Sequence, residues 1–480
     1  NDSVTRLASQ LQPAAPASEP PALAALLAVP EHARIKAMRN HVRGRVAKIL
    51  GHDQDSAVCD GTNFFDLGLD SLMAVDLARA LGGAFGIELA FTDIYEHATV
   101  NTLAVAFLAR IPAAVMAKPA PDPAATVTAA RAPRIAFLFS CQGGQYFGMG
   151  RELYDTEPVF RARIDACDRI LRPLIGVSIR DVMMHGDDRD AIHQTRVTQP
   201  AIAALQLALA DLWASWGVTA SAVFGHSLGE VAAAIHAGVM DIESGLTLVA
   251  HRARLMQSTA HGSMLAVKAP HACVTGWLEA TGLAVAAING PEAVVVSGER
   301  DAIDALTARL RAGGVTAQPL AVSHASHSPM MEPILPALHG AIAGLAFHEP
   351  RLPIVSNLTG RRSVPGEYDA RYWCRQVRET VRFHDAAQAL RALDIDVYLE
   401  IGPQGTLVNL LAAAGLLPAG GGLASLHRGT GDRATMLRAV DALHAQGQQL
   451  AWSEVRTASG RTGSPRPVTD CRLANDRRVA

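Results

Sequence analysis

The stretch "SAVFGHSLGEVAAAIHAG", residues 221–238, decides the fold. Its opening reads as a buried strand, its end as a helix, and between them Gly225, His226, Ser227, Leu228 and Gly229 form a Gly-x-Ser-x-Gly turn. A strand that runs into a helix through this turn is the context in which the pattern carries chemistry. Its two glycines permit a strained bend that exposes Ser227 and brings neighbouring N–H groups to a helix N-terminus. A serine nucleophile needs a base. Adjacent His226 is poorly placed, because neighbouring side chains on a tight turn point apart, so the base is sought elsewhere in the chain. The segment "VSHASHSPMMEP", residues 322–333, offers His324 and His327.

Working outward, "RIAFLFS" from Arg134, the helical run "QPAIAALQLALADLWASWG" and the elbow itself alternate strand and helix. That alternation predicts an α/β layer architecture with a largely parallel, hydrolase-like sheet. Residues 262–323 break the rhythm with the order β-α-β-β-α-β, in the segments "SMLAVKA", "HACVTGWLEATG", "LAVAAING", "AVVVSG", "DAIDALTARLRAGG" and "TAQPLAVS". This is the order of a ferredoxin-like unit, expected here as an inserted subdomain.

Upstream lies a different domain. The runs 12–22 and 112–133 are rich in Ala and Pro and read as linkers. Between them, "RIKAMRNHVRGRVAKILG", "DSLMAVDLARALGG" and "TVNTLAVAFLARI" predict a small all-α helical bundle. In its second helix Asp70 is the expected N-cap, Gly82-Gly83 the stop, and Leu72, Val75, Ala78 and Leu81 share a face. Ser71, in "FFDLGLDSLMAV", has no histidine, lysine or arginine nearby in sequence to activate it. The expected division is a linker over 1–33, a helical domain over 34–111, a linker over 112–133, an α/β domain over 134–415, a following segment over 416–452 and a flexible tail over 453–480.

Composition narrows the function classes. The 480 residues carry a formal net charge of −2 and 49% hydrophobic residues, enough for full cores and without bulk attraction for nucleic acid or an anionic membrane. The six cysteines form no CxxC pair and no cluster at metal-ligand spacing, so a reducing, cytoplasmic setting and no metal are expected. The start, "NDSVTRLASQ", has neither the basic nor the apolar run of a signal peptide, and no window is apolar enough to span a bilayer.

From about Arg134 to Gly415 the chain resembles the acyltransferase domain of type I polyketide synthases, kin to the malonyl-CoA:acyl carrier protein transacylases. The resemblance rests on an ordered set that includes "FLFSCQGGQYFGMGREL", "VTQPAIAALQLALADLW", "VFGHSLGE", "HRARLMQ", "INGPEAVVVSG", "VSHASHSPMMEP", "IVSNLTG", "YWCRQVRETVRF" and "LEIGPQGTL". "FFDLGLDSLMAVDL" resembles an acyl carrier protein, which implies covalent 4′-phosphopantetheine on Ser71, attached by a separate phosphopantetheinyl transferase. The resemblance implies ping-pong transfer from an acyl-CoA, with Ser227 as nucleophile, His327 as base, and the backbone N–H groups of Leu228 and Gln142 holding the oxyanion. It implies that a backbone carbonyl near "EIGP" orients the imidazole. It further implies that Arg252 grips a substrate carboxylate, with Gln199, His324 and Ser326 also lining the substrate site, and that Arg254 has no such role. Where the family reads Pro-Gly before that glutamine, this chain has Ser140-Cys141.

The tetrad His324-Ala325-Ser326-His327 is a hybrid of the family's HAFH form for malonyl and YASH form for methylmalonyl, and Leu228 tips the expectation to malonyl. The alternatives are a transferase for methylmalonyl or another α-substituted malonyl unit, an acyl hydrolase that clears stalled carriers, and a non-catalytic carrier or docking module. Here the carrier precedes the transferase and no ketosynthase is present, which reads as an excised piece or an unusual pairing. The expected partners are a malonyl-type acyl-CoA, carrier proteins in cis and in trans, and other synthase domains such as a ketosynthase. Residues 41–110 hold nine Asp/Glu against five Lys/Arg, an acidic surface suited to basic partners.

Overall fold

The computed structural model describes residues 21–27, 29, 31–50, 58, 60–65, 67, 69, 71–85, 93–94, 97–111, 131–320, 322–418 and 420–457. The chain divides into two compact units, residues 1–130 and 131–480.

The first unit is helical: α1 (Pro21–Leu27), α2 (Glu31–Ile49), α3 (Ser71–Phe85) and α4 (Val100–Arg110). Helix α4 starts at a capping box in which the Thr99 and Thr102 side chains bond each other's backbone N–H. Two expectations are corrected. The linker expected over 1–33 contains α1, whose Leu23, Leu26 and Leu27 are buried in the bundle core. Gly82-Gly83 does not stop α3, which continues to Phe85. The reason is tertiary: Phe85 is buried edge-on against Phe107 at 5.1 Å and His41 at 5.0 Å, outweighing the low helix propensity of two glycines. Ala78 and Leu81 are buried as expected, whereas Asp70 and the side chains of Leu72 and Val75 lie outside the described residues.

The second unit is built on two sheets. In chain order its relevant elements are β1 (Ile135–Phe139), α5 (Thr195–Ser215), β2 (Ala222–Gly225), α6 (Gly229–Ala237), α7 (Ile242–Gln257), β3 (Ser263–Val267), α8 (His271–Trp277), β4 (Ala284–Gly290), β5 (Ala293–Gly298), α9 (Arg300–Ala312) and β6 (Ala317–Pro319). There follow β7 (Ile354–Val355), α10 (Ala370–Arg378), β8 (Val397–Ile401), β9 (Gly422–Ala424) and α11 (Asp432–Ala445). The first sheet has the order β7-β2-β1-β8-β9, and every pairing is parallel. Its two-residue alternation builds two cores. Ile135, Phe137 and Phe139 face one packed layer with α5 and α7, while Ala136 and Leu138 face another that includes Ala286, Ala287 and Val295 of the second sheet. The second sheet is antiparallel, in the order β4-β5-β3-β6, with α8 and α9 in the two crossovers.

The chain beyond 415 is not a separate segment. Strand β9 joins the main sheet beside β8, and Met436, Val440 and Leu443 of α11, with Val455, are buried in the main core. Arg433 ties the same region to Glu157 at 2.9 Å.

Candidate active site

Parallel strands deliver their carboxyl ends to one edge of a sheet, and loops leaving that edge build sites. Three such loops matter here: Gln142 follows β1, Ser227 follows β2 and Asn357 follows β7. The second sheet closes over them, leaving a cavity of about 380 Å³ whose lining includes Gln142, Ser227, Arg252, Ala287, His324 and His327.

The glycines of the elbow are required by space. A Cβ on Gly225 would stand 2.0 Å from the Gly229 carbonyl carbon, and one on Gly229 would stand 2.1 Å from the Phe139 carbonyl oxygen. Strand, turn and helix therefore pack closer than any other residue permits. Ser227 has a φ of 52°, and His327 one of 59°. Left-handed backbone at a non-glycine costs on the order of 1–3 kcal/mol and persists only where its surroundings enforce it. Around Ser227 the enforcing residue is Asn357, whose Oδ1 accepts the Ser227 N–H at 2.7 Å and whose Nδ2 donates to the Gly225 carbonyl at 2.5 Å. The backbone N–H of Asn357 donates in turn to Glu230 Oε1 at 2.9 Å, an oxygen that also accepts the Tyr372 hydroxyl. Gln376 of α10 donates to the Ser227 carbonyl at 2.6 Å. Burial pushes the Glu230 carboxyl up to about 7.

Ser227 Oγ lies 2.7 Å from His327 Nε2, and His327 Nδ1 lies 2.8 Å from the Glu379 carbonyl oxygen. A carbonyl only accepts, so Nδ1 carries the proton and Nε2 is free to accept from the serine. The orienting carbonyl therefore comes from "RET", residues 378–380, and not from "EIGP". Glu379 is the C-cap of α10, and the negative end of that helix favours the imidazolium form during proton transfer. Burial and the Arg252 guanidinium hold the imidazole far below its usual range, at about 3.

Arg252, on α7, is 2% exposed and pairs with no carboxylate among the described residues. One terminal nitrogen donates to Gln199 Oε1 at 2.6 Å and the other to Ser227 Oγ at 3.2 Å, while its Nε has no partner. A buried guanidinium without a counterion is costly unless an anion joins it. Burial lowers its pKa to about 10, which leaves it charged at neutral pH. Gln199 Nε2 reaches Gln142 Oε1 at 3.4 Å, linking the arginine to the loop after β1. Leu228 and Ser326 line the cavity, and His324 lies between Thr259 at 3.2 Å and Gln257 at 3.4 Å. Exposed Arg254 instead contacts half-buried His251, and His226 is turned away onto Asn289 at 2.9 Å. The sequence-expected residues of the second unit thus converge. Asn357, Gln376 and Glu379 were missed, although all three sit in quoted motifs, Asn357 in "IVSNLTG" and the other two in "YWCRQVRETVRF". Ser71 opens α3 of the first unit.

No metal-ligand cluster occurs among the described residues, and no helix among them is long and apolar enough to cross a membrane. An acyl transferase domain model matches residues 136–449, and a phosphopantetheine attachment site model matches residues 40–106. The chain is 39% identical over 327 residues to the polyketide synthase GfsB of Streptomyces halstedii, covering 66% of this chain and 6% of that much longer protein. The acyltransferase domain from the second module of the salinomycin polyketide synthase superposes with a TM-score of 0.64 at 37% identity, over 70% of this chain and 79% of that one. A malonyl-CoA:acyl carrier protein transacylase from Xanthomonas oryzae pv. oryzae gives 0.58 at 30% identity, over 65% and 98%.

Proposed function

Because the chain belongs to the acyl transferase domain family, we propose that it moves a malonyl-type unit from coenzyme A, through an ester on Ser227, to the thiol of an acyl carrier domain. The observation that carries this reading is the meeting of Ser227, His327 and Arg252 at hydrogen-bond distance inside one cavity. As Ser227 Oγ attacks the thioester carbon, its proton passes to His327 Nε2. The Oγ–C bond forms, the C–S bond breaks, and the imidazolium returns the proton to the departing thiolate. Backbone N–H groups of Leu228 and Gln142 are the proposed oxyanion donors, consistent with both residues lining the cavity. Arg252 receives the carboxylate, where a planar guanidinium offers two parallel donors, and Gln199 holds it in place. Malonyl is the favoured unit. Ser326 leaves room for a substituent, but one methyl is worth only ~1–3 kcal/mol, so discrimination between extender units is modest.

The phosphopantetheine attachment site implies a covalent phosphopantetheine, and Ser71 is its proposed anchor. The position fits, since Ser71 begins a helix, where unpaired backbone N–H groups favour a phosphate ester. When bound, the group supplies the acceptor thiol. A phosphopantetheinyl transferase, carriers in cis or in trans, a ketosynthase and a cytoplasmic setting complete the proposal. The order β4-β5-β3-β6 supports reading 262–323 as a ferredoxin-like insertion, and the Ser227 elbow supports a hydrolase-like core.

Intact-protein mass spectrometry of the phosphopantetheinylated chain with malonyl-CoA and methylmalonyl-CoA in competition tests this reading. Malonyl is expected on Ser227 and then on the carrier arm. Net hydrolysis without transfer, or loading that survives Ser227→Ala, overturns it.

A further inference from the structure

The contact between Arg252 and Ser227 has no role in gripping a carboxylate. The guanidinium donates to the same oxygen that must attack: Ser227 Oγ gives its proton toward His327 Nε2 at 2.7 Å and accepts an Arg252 N–H at 3.2 Å. The hydroxyl thus spends a lone pair on a cation. The same positive charge faces the imidazole that must become positive. Around that ring, burial first and the Arg252 charge after it oppose protonation, as does His226, while the carbonyls of Glu379 and Gln376 favour it.

We propose that Arg252 caps the nucleophile in the free protein, and that the carboxylate of the incoming acyl unit releases the cap, so that the substrate's own charge switches the Ser227–His327 pair on. This rests on the acyltransferase reading above and deepens it.

Once the Oγ–C bond forms, Oγ is an uncharged, ether-type oxygen of the tetrahedral adduct and no longer benefits from the guanidinium. The negative charge has moved to the thioester oxygen, and the proton sits on His327. What remains of the Arg252 field at that moment is repulsion of the imidazolium. A carboxylate is a stronger acceptor than a hydroxyl, so it draws the guanidinium off Ser227 and cancels that field. Gln199 anchors one terminal nitrogen at 2.6 Å, so the terminal nitrogen that bonds Ser227 is the one an incoming anion draws away. An uncharged acyl group entering the same cavity leaves the cap in place. Selection against such groups then acts on the chemical step as well as on binding, the form of discrimination that separates substrates at saturation.

A small fluorophosphonate tests this in the wild-type protein, because it reacts with the serine and carries no carboxylate. Its rate of inactivation is measured with sodium formate, with sodium chloride at equal ionic strength, and with formamide, an uncharged near-isostere of formate. Competition of formate against malonyl-CoA loading sets the concentrations. The expected result is saturable acceleration by formate alone, on the order of tenfold, the factor carried by one charge-assisted hydrogen bond of modest strength. Arg252→Ala should react faster than wild type without formate and should not respond to it. If formate competes with malonyl-CoA yet leaves inactivation unchanged or slower, the cap is refuted while the transferase reading stands. If no concentration of formate competes, the carboxylate clamp itself fails.

Discussion

Asn357→Ala is the substitution that best separates a positioned nucleophile from a merely exposed one. Asn357 touches neither the proposed substrate nor the base, yet its side chain spans the elbow from the Gly225 carbonyl to the Ser227 N–H. Removing it orphans two buried backbone groups, at about 1–3 kcal/mol each. The retained main-chain bond to Glu230 cannot compensate, because it lies on the other side of the residue. Stability of the second unit should therefore fall by about 2–6 kcal/mol, a loss of roughly 5 °C in unfolding temperature for a unit of this size. The chemical effect is separate. Freed of its clamp, Ser227 relaxes from its left-handed φ of 52°, and Oγ moves from His327. A displacement near 1 Å at a reacting atom costs on the order of 10² in rate. Burst kinetics of acyl-enzyme formation from malonyl-CoA, measured well below the unfolding transition, read the rate, and calorimetry reads stability. A variant that loads within twofold of wild type would refute the claim that Asn357 enforces the elbow.

Four further outcomes are expected. Gly229→Ala should abolish soluble second unit, since its Cβ meets the Phe139 carbonyl at 2.1 Å; Gly83→Ala, in open space within α3, should raise stability by about 0.5–1 kcal/mol, read by thermal melts. Arg252→Lys should lower kcat/KM for malonyl-CoA by roughly 10–100-fold, because an ammonium cannot reproduce two parallel donors. Burial raises the Glu400 carboxyl from 4.5 to about 8, so folding takes up a proton there. Below about 4.5 both states hold that proton, and between there and about 8 only the folded state does, so wild type loses stability as pH rises through the window; Glu400→Gln, which cannot ionise, should melt with wild type at low pH and increasingly above it as pH approaches 8.

What the sequence disclosed, and what it withheld, follows from where each signal resides. Ser227 was legible because strand, two obligatory glycines and helix are contiguous; His327 and Arg252 were legible only through motif resemblance, since a lone histidine or arginine carries no local mark. The six-element order of residues 262–323 was readable because each strand and helix there is short, regular and bounded by turns. Asn357 and Gln376 act on Ser227 from 130 and 149 residues away, and no periodicity registers such a contact. The Glu379 contribution is a backbone carbonyl, which every residue possesses, and the expectation accordingly fell on the wrong segment. Gly82-Gly83 misled for a different reason: local propensity pointed to a stop, and the burial of Phe85 in the bundle outweighed it.

In the proposed site three groups from distant parts of the chain serve one carboxylated thioester. The most direct measurement is peptide mapping of the acyl-enzyme formed by wild type when malonyl-CoA and acetyl-CoA compete at equal concentration. A malonyl ester is expected on the peptide bearing Ser227, in large excess over acetyl, and it should be lost in His327→Ala. Equal malonyl and acetyl labelling, or an ester on any other residue of the second unit, would contradict it.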